Sequence, residues 1–245
     1  IRYVILLGQC MFMKILITTQ YFYPENFRIN DFAFKMAQRG HEVSVLTGTP
    51  NYPAGKNFGD YKTFSCETIN GVQVYRVPLI PRGKSRGFEL AINYISFLVS
   101  AIVFGPILLR KSKPDIVFSV NYSPATVGLI GAFFSKIKKV PMFLWVQDLW
   151  PESLQATGAV RSRLVLIFVG SMVSWIYAQS TLIFIQSKSF SRYIRFRGVT
   201  DSGKIKYLPN WAEDTYEISR SIDVQPSHGL VPRDKFIIMF AGNLG

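Results

Sequence analysis

Short apolar runs and helical stripes alternate along most of this chain. Residues 14–19 form a compact apolar run, the pattern of a strand buried on both faces. Ile29, Phe32, Ala33, Met36 and Ala37 then share one stripe, which predicts a helix over residues 30–38 with Gly40 as its terminating glycine. Residues 41–47 alternate through Val43 and Val45 as a second strand. Asn70-Gly71 lies between the runs 66–69 and 72–77, the strongest two-residue hairpin signal. Further strands are expected at 115–120, 140–146, 181–185 and 205–208. Helices are expected at 124–136, 161–178 and 190–197, the last ended by Gly198. Strands alternating with helices predict an α/β fold with an open, mostly parallel sheet.

The ends depart from this pattern. Met13 followed by Lys14-Ile15-Leu16-Ile17 reads as a natural start, so residues 1–12 are expected to be an extension. A signal peptide is the other reading of that stretch. Its positive region is a single Arg2, no small-residue cleavage site follows, and Lys14 interrupts the apolar run. Residues 214–234 are polar and contain Pro226, Gly229 and Pro232, a linker pattern. Residues 236–240 restart the strand pattern and enter a glycine loop. The expected plan is one domain over 13–213, a linker over 214–234, and at 235–245 the start of a second α/β domain that stops short.

Residues 88–109 carry one charge, Glu89, and meet the length and composition of a membrane span. Arg82, Lys84 and Arg86 precede the run; Arg110, Lys111 and Lys113 follow it. Such two-sided flanks set no orientation. The run also sits between a hairpin and a strand of the same expected sheet, and a crossing there would split that sheet across the bilayer. A crossover helix, buried or lying on a membrane surface, is therefore ranked above a span.

Composition narrows the function classes. With 49% hydrophobic and 18% charged residues, the chain builds a core and is not disordered. The net charge of 28 − 15 = +13 implies an anionic partner, either an acidic membrane surface or a phosphorylated substrate. No nucleic-acid module accompanies the charge, so nucleic acid is not expected as a partner. Cys10 and Cys66 are too few for a disulfide framework or a zinc site, and His41 and His228 too few for a histidine metal site. Neither P-loop, HExxH nor kinase signature is present, and no G-x-G-x-x-G follows the first strand.

Candidate chemistry lies in loops after strands, where parallel sheets place ligands. The loop 20–28 holds Tyr21, Tyr23, Glu25, Asn26 and Arg28, and the loop after the second strand holds Asn51. Gln147-Asp148-Leu149-Trp150-Pro151-Glu152 follows the strand at 140–146. Two readings stand for that turn. Asp148 could cap a helix opened by Trp150-Pro151, with Glu152 compensating the dipole. Alternatively Asp148 is a working carboxylate flanked by Trp145 and Trp150, aromatic surfaces of the kind sugars stack on.

Four segments together resemble the family 4 retaining glycosyltransferases of GT-B fold, in the bacterial O-antigen, capsule and colanic-acid branch that includes L-fucosamine transferases. They are residues 13–30 with Tyr21-Phe22-Tyr23-Pro24-Glu25, Arg39-Gly40-His41-Glu42-Val43 with Pro50-Asn51-Tyr52-Pro53, the Asp148-Leu149-Trp150-Pro151-Glu152 turn, and Leu208-Pro209-Asn210-Trp211. The resemblance implies a Rossmann-like amino-terminal half that binds acceptor, and a second half that holds a nucleotide sugar, a UDP-sugar in the first instance. It implies a polyprenyl-diphosphate-linked saccharide as acceptor at the inner face of the membrane, with neither cofactor nor metal. Many members carry a histidine before the aspartate of the turn, where this chain has Gln147. The expected catalytic residues are Asp148 and Gln147. Tyr21, Tyr23, Glu25, Asn26, Arg28 and Asn51 are expected to line the acceptor site, and Gly242 and Asn243 to meet the donor diphosphate. A chain lacking the second half is expected to be inactive alone. The competing readings are a non-catalytic truncated fragment that binds membrane, a sugar-nucleotide epimerase of the same fold, and an integral membrane protein.

Overall fold

The computed structural model describes residues 12–59, 61 and 64–212. Gly242, Asn243, the expected linker, the strand at 236–240, Cys10 and His228 all lie outside those residues. The chain divides into two compact units, Ile1–Pro209 and Asn210–Gly245.

Among the described residues, eight strands form one sheet in the first unit. They are β1 (Lys14–Thr18), β2 (Glu42–Gly48), β3 (Ser65–Ile69), β4 (Val72–Val77), β5 (Ile116–Asn121), β6 (Met142–Val146), β7 (Leu182–Ile185) and β8 (Ile205–Tyr207). Their order is β3-β4-β2-β1-β5-β6-β7-β8. Every pairing is parallel except β3 with β4. That hairpin turns at Asn70 and Gly71, with φ of 48° and 82°, the double left-handed geometry of a type I′ turn. The central strands β1, β2 and β5 are buried on both faces nearly throughout, as their unbroken apolar runs predict.

Six helices connect the strands: α1 (Arg28–Gln38), α2 (Gly87–Leu108), α3 (Val127–Lys138), α4 (Glu152–Ala156), α5 (Arg163–Gln179) and α6 (Phe190–Phe196). The chain moves from β1 to β2 in one direction and from β4 through β5, β6 and β7 to β8 in the other. Right-handed crossovers therefore put α1 on one face of the sheet and α2, α3 and α5 on the opposite face. On the α1 face Phe32 stacks on Phe118 at 4.9 Å between ring centroids. On the other face Leu16, Leu46, Phe97, Val117, Ile130 and Phe134 form one core cluster, and Leu144, Val173, Ile176, Tyr177 and Ile183 belong to a second.

The apolar segment is α2, a crossover helix packed along the sheet. It buries every fourth residue, Asn93, Phe97, Ala101 and Gly105. A Cβ on Gly105 would come within 2.6 Å of the Phe134 ring, so glycine there sets how closely α2 approaches α3. The carboxyl end of α2 is held by Lys138 Nζ, which donates to the carbonyls of Leu109 and Ser112 at 2.7 Å each.

Boundaries moved by up to three residues from the expected ones. The largest shift is at α3, where Pro124 and Ala125 are spent on a turn whose carbonyls accept from Val127 and Gly128. Asp148 does not cap a helix. The cap position of α4 is Pro151 with no side-chain bond, and Asp148 Oδ2 instead accepts from Trp150 Nε1 at 3.3 Å.

Candidate functional site

Chain direction reverses between β1 and β5: β1 leads to a strand on one side and β5 to a strand on the other. At such a switch point the loops at the carboxyl ends of the two strands part and leave a crevice, the usual ligand position in open α/β sheets. A cleft too narrow in this structure to admit a water molecule lies at that point, with Gln20, Tyr21, Tyr122 and Ser123 among its lining residues. A larger concavity of about 160 Å³, between the ends of α5 and α6, lies at the opposite edge of the sheet. Topology favours the smaller cleft, because none of the loops that follow β1, β5 and β6 reaches the larger one.

The first loop is built from the inside. Glu25 is buried, and its Oε1 accepts from the N–H of Asn51 at 2.8 Å and of Tyr52 at 2.7 Å, while Oε2 accepts from Phe22 N at 3.3 Å. One carboxylate thus ties the loop after β1 to the loop after β2. Burial pushes its pKa up to about 7, against the opposing pull of those three N–H donors and of Arg76. Asn30 Nδ2 donates to the Glu25 carbonyl at 2.7 Å and fixes the loop where α1 begins.

Aromatic rings cover this frame. Tyr21 stacks on Phe27 at 5.0 Å and 9° between planes, and Phe27 also meets Tyr52 at 5.2 Å and Tyr122 at 5.1 Å. The Tyr122 hydroxyl accepts from Ile29 N at 3.0 Å, which binds the loop after β5 to the start of α1. Desolvation raises the Tyr21 phenol far above its ordinary value and keeps it neutral.

Beneath the rings lies a chain of carboxamides. Gln20 Nε2 donates to Asn93 Oδ1 at 2.6 Å, and Asn93 Nδ2 donates to the Ile80 carbonyl at 2.6 Å and to Asn51 Oδ1 at 3.4 Å. The amide of an otherwise apolar helix is therefore anchored in the site. Two buried amide oxygens, Gln20 Oε1 and Asn121 Oδ1, have no hydrogen-bond donor among the described residues. They sit at the ends of adjacent strands, β1 and β5.

The turn after β6 joins the same edge. The N–H groups of Gln147 and Asp148 both donate to the Asn121 carbonyl, at 2.9 and 3.2 Å, and Gln186 Nε2 donates to the Gln147 carbonyl. Two strand spacings separate β1 from β6, about 10 Å. Glu152 turns away and pairs with Arg197 at 2.6 Å, linking α4 to the end of α6. Asp148 is half-buried, and its backbone N–H ties it to Asn121 at the end of β5.

Of the sequence-derived residues, Tyr21, Glu25, Asn51, Gln147 and Asp148 come together at this edge. Tyr23 turns aside, with its ring against Phe34 of α1 and its carbonyl accepting from the buried Arg76. Asn26 is exposed, and Arg28 is half-buried in the first turn of α1. His41, the histidine within the described residues, serves a strand start, its Nδ1 accepting from Met13 N at 3.2 Å. Sequence reasoning passed over Tyr122, Asn121 and the anchoring role of Asn93. A lone carboxamide in a greasy helix was the available signal for the last, since a buried amide demands partners.

The family model for the glycosyl transferase 4-like domain matches residues 26–211. The chain belongs to that family. It is 26% identical over 250 residues to the putative colanic acid biosynthesis glycosyl transferase WcaI of Escherichia coli (strain K12), covering 95% of this chain and 59% of that protein. The chain thus spans 59% of the length of this relative. Among solved structures it is similar to the UDP-forming α,α-trehalose-phosphate synthase of Burkholderia vietnamiensis, with a TM-score of 0.50 and 12% identity over 82% of this chain and 49% of that one. A second synthase of the same kind, from Burkholderia multivorans, matches with a TM-score of 0.48 and 12% identity over 79% of this chain and 46% of that one. At that identity the likeness concerns the fold, and the family match carries the assignment to glycosyltransferases.

Proposed function

We propose that this chain is the acceptor-binding half of a retaining glycosyltransferase that moves a sugar from a nucleotide-sugar donor, UDP-linked in the first instance, to a lipid-linked diphosphate saccharide at the inner face of the cell membrane. The observation that carries this reading is the pair of buried amide oxygens at the β1–β5 switch point, Gln20 Oε1 and Asn121 Oδ1, which have no donor among the described residues. Sugar hydroxyls are donors, and a site that leaves its buried acceptors unpaired discriminates against ligands lacking them. Phe27 and Tyr122, each half-buried, supply partly exposed aromatic surface beside those oxygens. Membership of the glycosyltransferase family supports the reaction class, and a relative named for colanic acid biosynthesis supports a role in surface polysaccharide.

In this reading Asp148 contacts the acceptor hydroxyl or the donor sugar at the rim, and the Gln147 backbone holds the turn in place. The nucleotide-sugar donor is held by the other half of the transferase. Catalysis is then chiefly positioning, with electrostatic stabilisation of the leaving diphosphate. The test is transfer of labelled sugar from a panel of nucleotide sugars to polyprenyl-diphosphate saccharide, using the chain in its full-length context. Asp148→Asn should lower kcat by about 100-fold with an unchanged melting temperature. A loss below about threefold removes Asp148 from the reaction. Absence of transfer from every donor overturns the reading.

A further inference from the structure

α2 and α5 pack on the same face of the sheet with α3 between them. Each buries one stripe against the sheet and leaves the opposite stripe bare. On α2 the bare stripe is Phe88, Ile95, Val99, Val103 and Ile107, all more than half exposed. On α5 the residues facing away from the buried Gly170, Val173 and Ile176 include Leu164, Phe168 and Trp175. Both stripes point away from the sheet, so two apolar ridges lie on one outer face with α3 between them. Monomeric proteins seldom leave so many large apolar side chains uncovered on one face.

The rim of this surface has one sign of charge. Lys84 and Arg86 lie before α2, Arg110 and Lys111 after it, and Arg161 and Arg163 at the start of α5, all exposed. Lys136 of α3 sits over the Trp175 ring at 5.0 Å. Glu89 is the sole acid on α2, and α3 and α5 carry none. A second copy of the chain would bring this basic rim against itself, which costs free energy, whereas an anionic bilayer complements it.

We infer that the two-ridge surface of α2 and α5 is a docking face for anionic lipid, lying flat in the headgroup layer. Helices that join parallel strands run antiparallel to them, so both amino-terminal ends sit at the edge of the sheet that carries the cleft. Within the two ridges the most exposed side chains lie toward those ends: Phe88 at 78%, Leu164 at 79% and Phe168 at 71%. Docking at that end brings the cleft down to the lipid surface. The existence of a membrane partner belongs to the transferase reading above, but the identity of this surface stands on packing and charge. Its test measures binding without turnover, so the two can fail separately.

The experiment is flotation of the chain with vesicles of phosphatidylglycerol and phosphatidylethanolamine, against vesicles of phosphatidylcholine alone. Binding to the anionic vesicles is expected, with little to the neutral ones. Ile95→Ser with Val99→Ser, and separately Leu164→Ser with Phe168→Ser, should each weaken it by about tenfold or more. Tyr207→Ser, an exposed aromatic on the far edge strand, should leave it unchanged. Four outcomes overturn the inference: no effect from the α5 pair, no preference for anionic lipid, retention in the membrane after alkaline carbonate, or a dimer in sedimentation that the same pairs dissociate while vesicles go unbound.

Discussion

Glu25 is a carboxylate placed where water does not reach, and it is also a joint between two loops. Its pKa in the fold is about 7, above the ordinary 4.5, because burial penalises the charge more than its N–H donors reward it. The fold therefore favours the protonated acid. Its contribution to stability is full below about pH 4.5 and is lost as pH rises through about 7. Thermal melts from about pH 5 to 8 should show the melting temperature of the wild type falling more steeply than that of Glu25→Gln, which keeps an oxygen for Asn51 and Tyr52. Equal slopes would show that Glu25 does not titrate across this range. At this scale the sequence was only partly legible. Glu25 and Tyr21 are recognisable as loop residues of chemical interest, but nothing in residue type says that the Glu25 oxygens turn inward. Residue type leaves two readings of Asp148 for the same reason: whether it caps a helix depends on where Pro151 lets the helix begin, a matter of backbone geometry.

Among the elements, α2 shows how a single polar residue can orient an apolar rod. Residues 88–109 read as a span, a surface helix or a crossover because hydropathy reports how greasy a helix is and not which side faces protein. The stripe of Asn93, Phe97, Ala101 and Gly105 decides it in the fold. Asn93→Leu raises the apolar character of the helix yet should destabilise the protein by about 2–3 kcal/mol, since Gln20 Nε2 and the Ile80 carbonyl lose partners in a buried place. Urea titration reads this directly, and a neutral or stabilising result would show that the amide chain is dispensable. Most other elements were legible because each carries a local signature: the Asn70-Gly71 turn, the terminating Gly40, the unbroken apolar strands. Strand order was not legible. It depends on which crossovers double back, information spread over the whole chain.

For the molecule as a whole, charge and topology act together. A net charge of +13, with basic residues rimming one helical face, should make lipid association depend on salt. Raising NaCl from about 0.05 to 0.5 M should weaken flotation with anionic vesicles markedly without abolishing it, because screening removes the electrostatic attraction and leaves apolar insertion. Binding that ignores salt would assign the attraction to the ridges alone. The position of Asn93 gives this arrangement a mechanical side. One flank of α2 faces outward, and the opposite flank reaches through Asn93 to Gln20 at the floor of the cleft. That one hydrogen bond therefore couples the outward-facing helix to the loop that follows β1, so a displacement of α2 acts on Gln20.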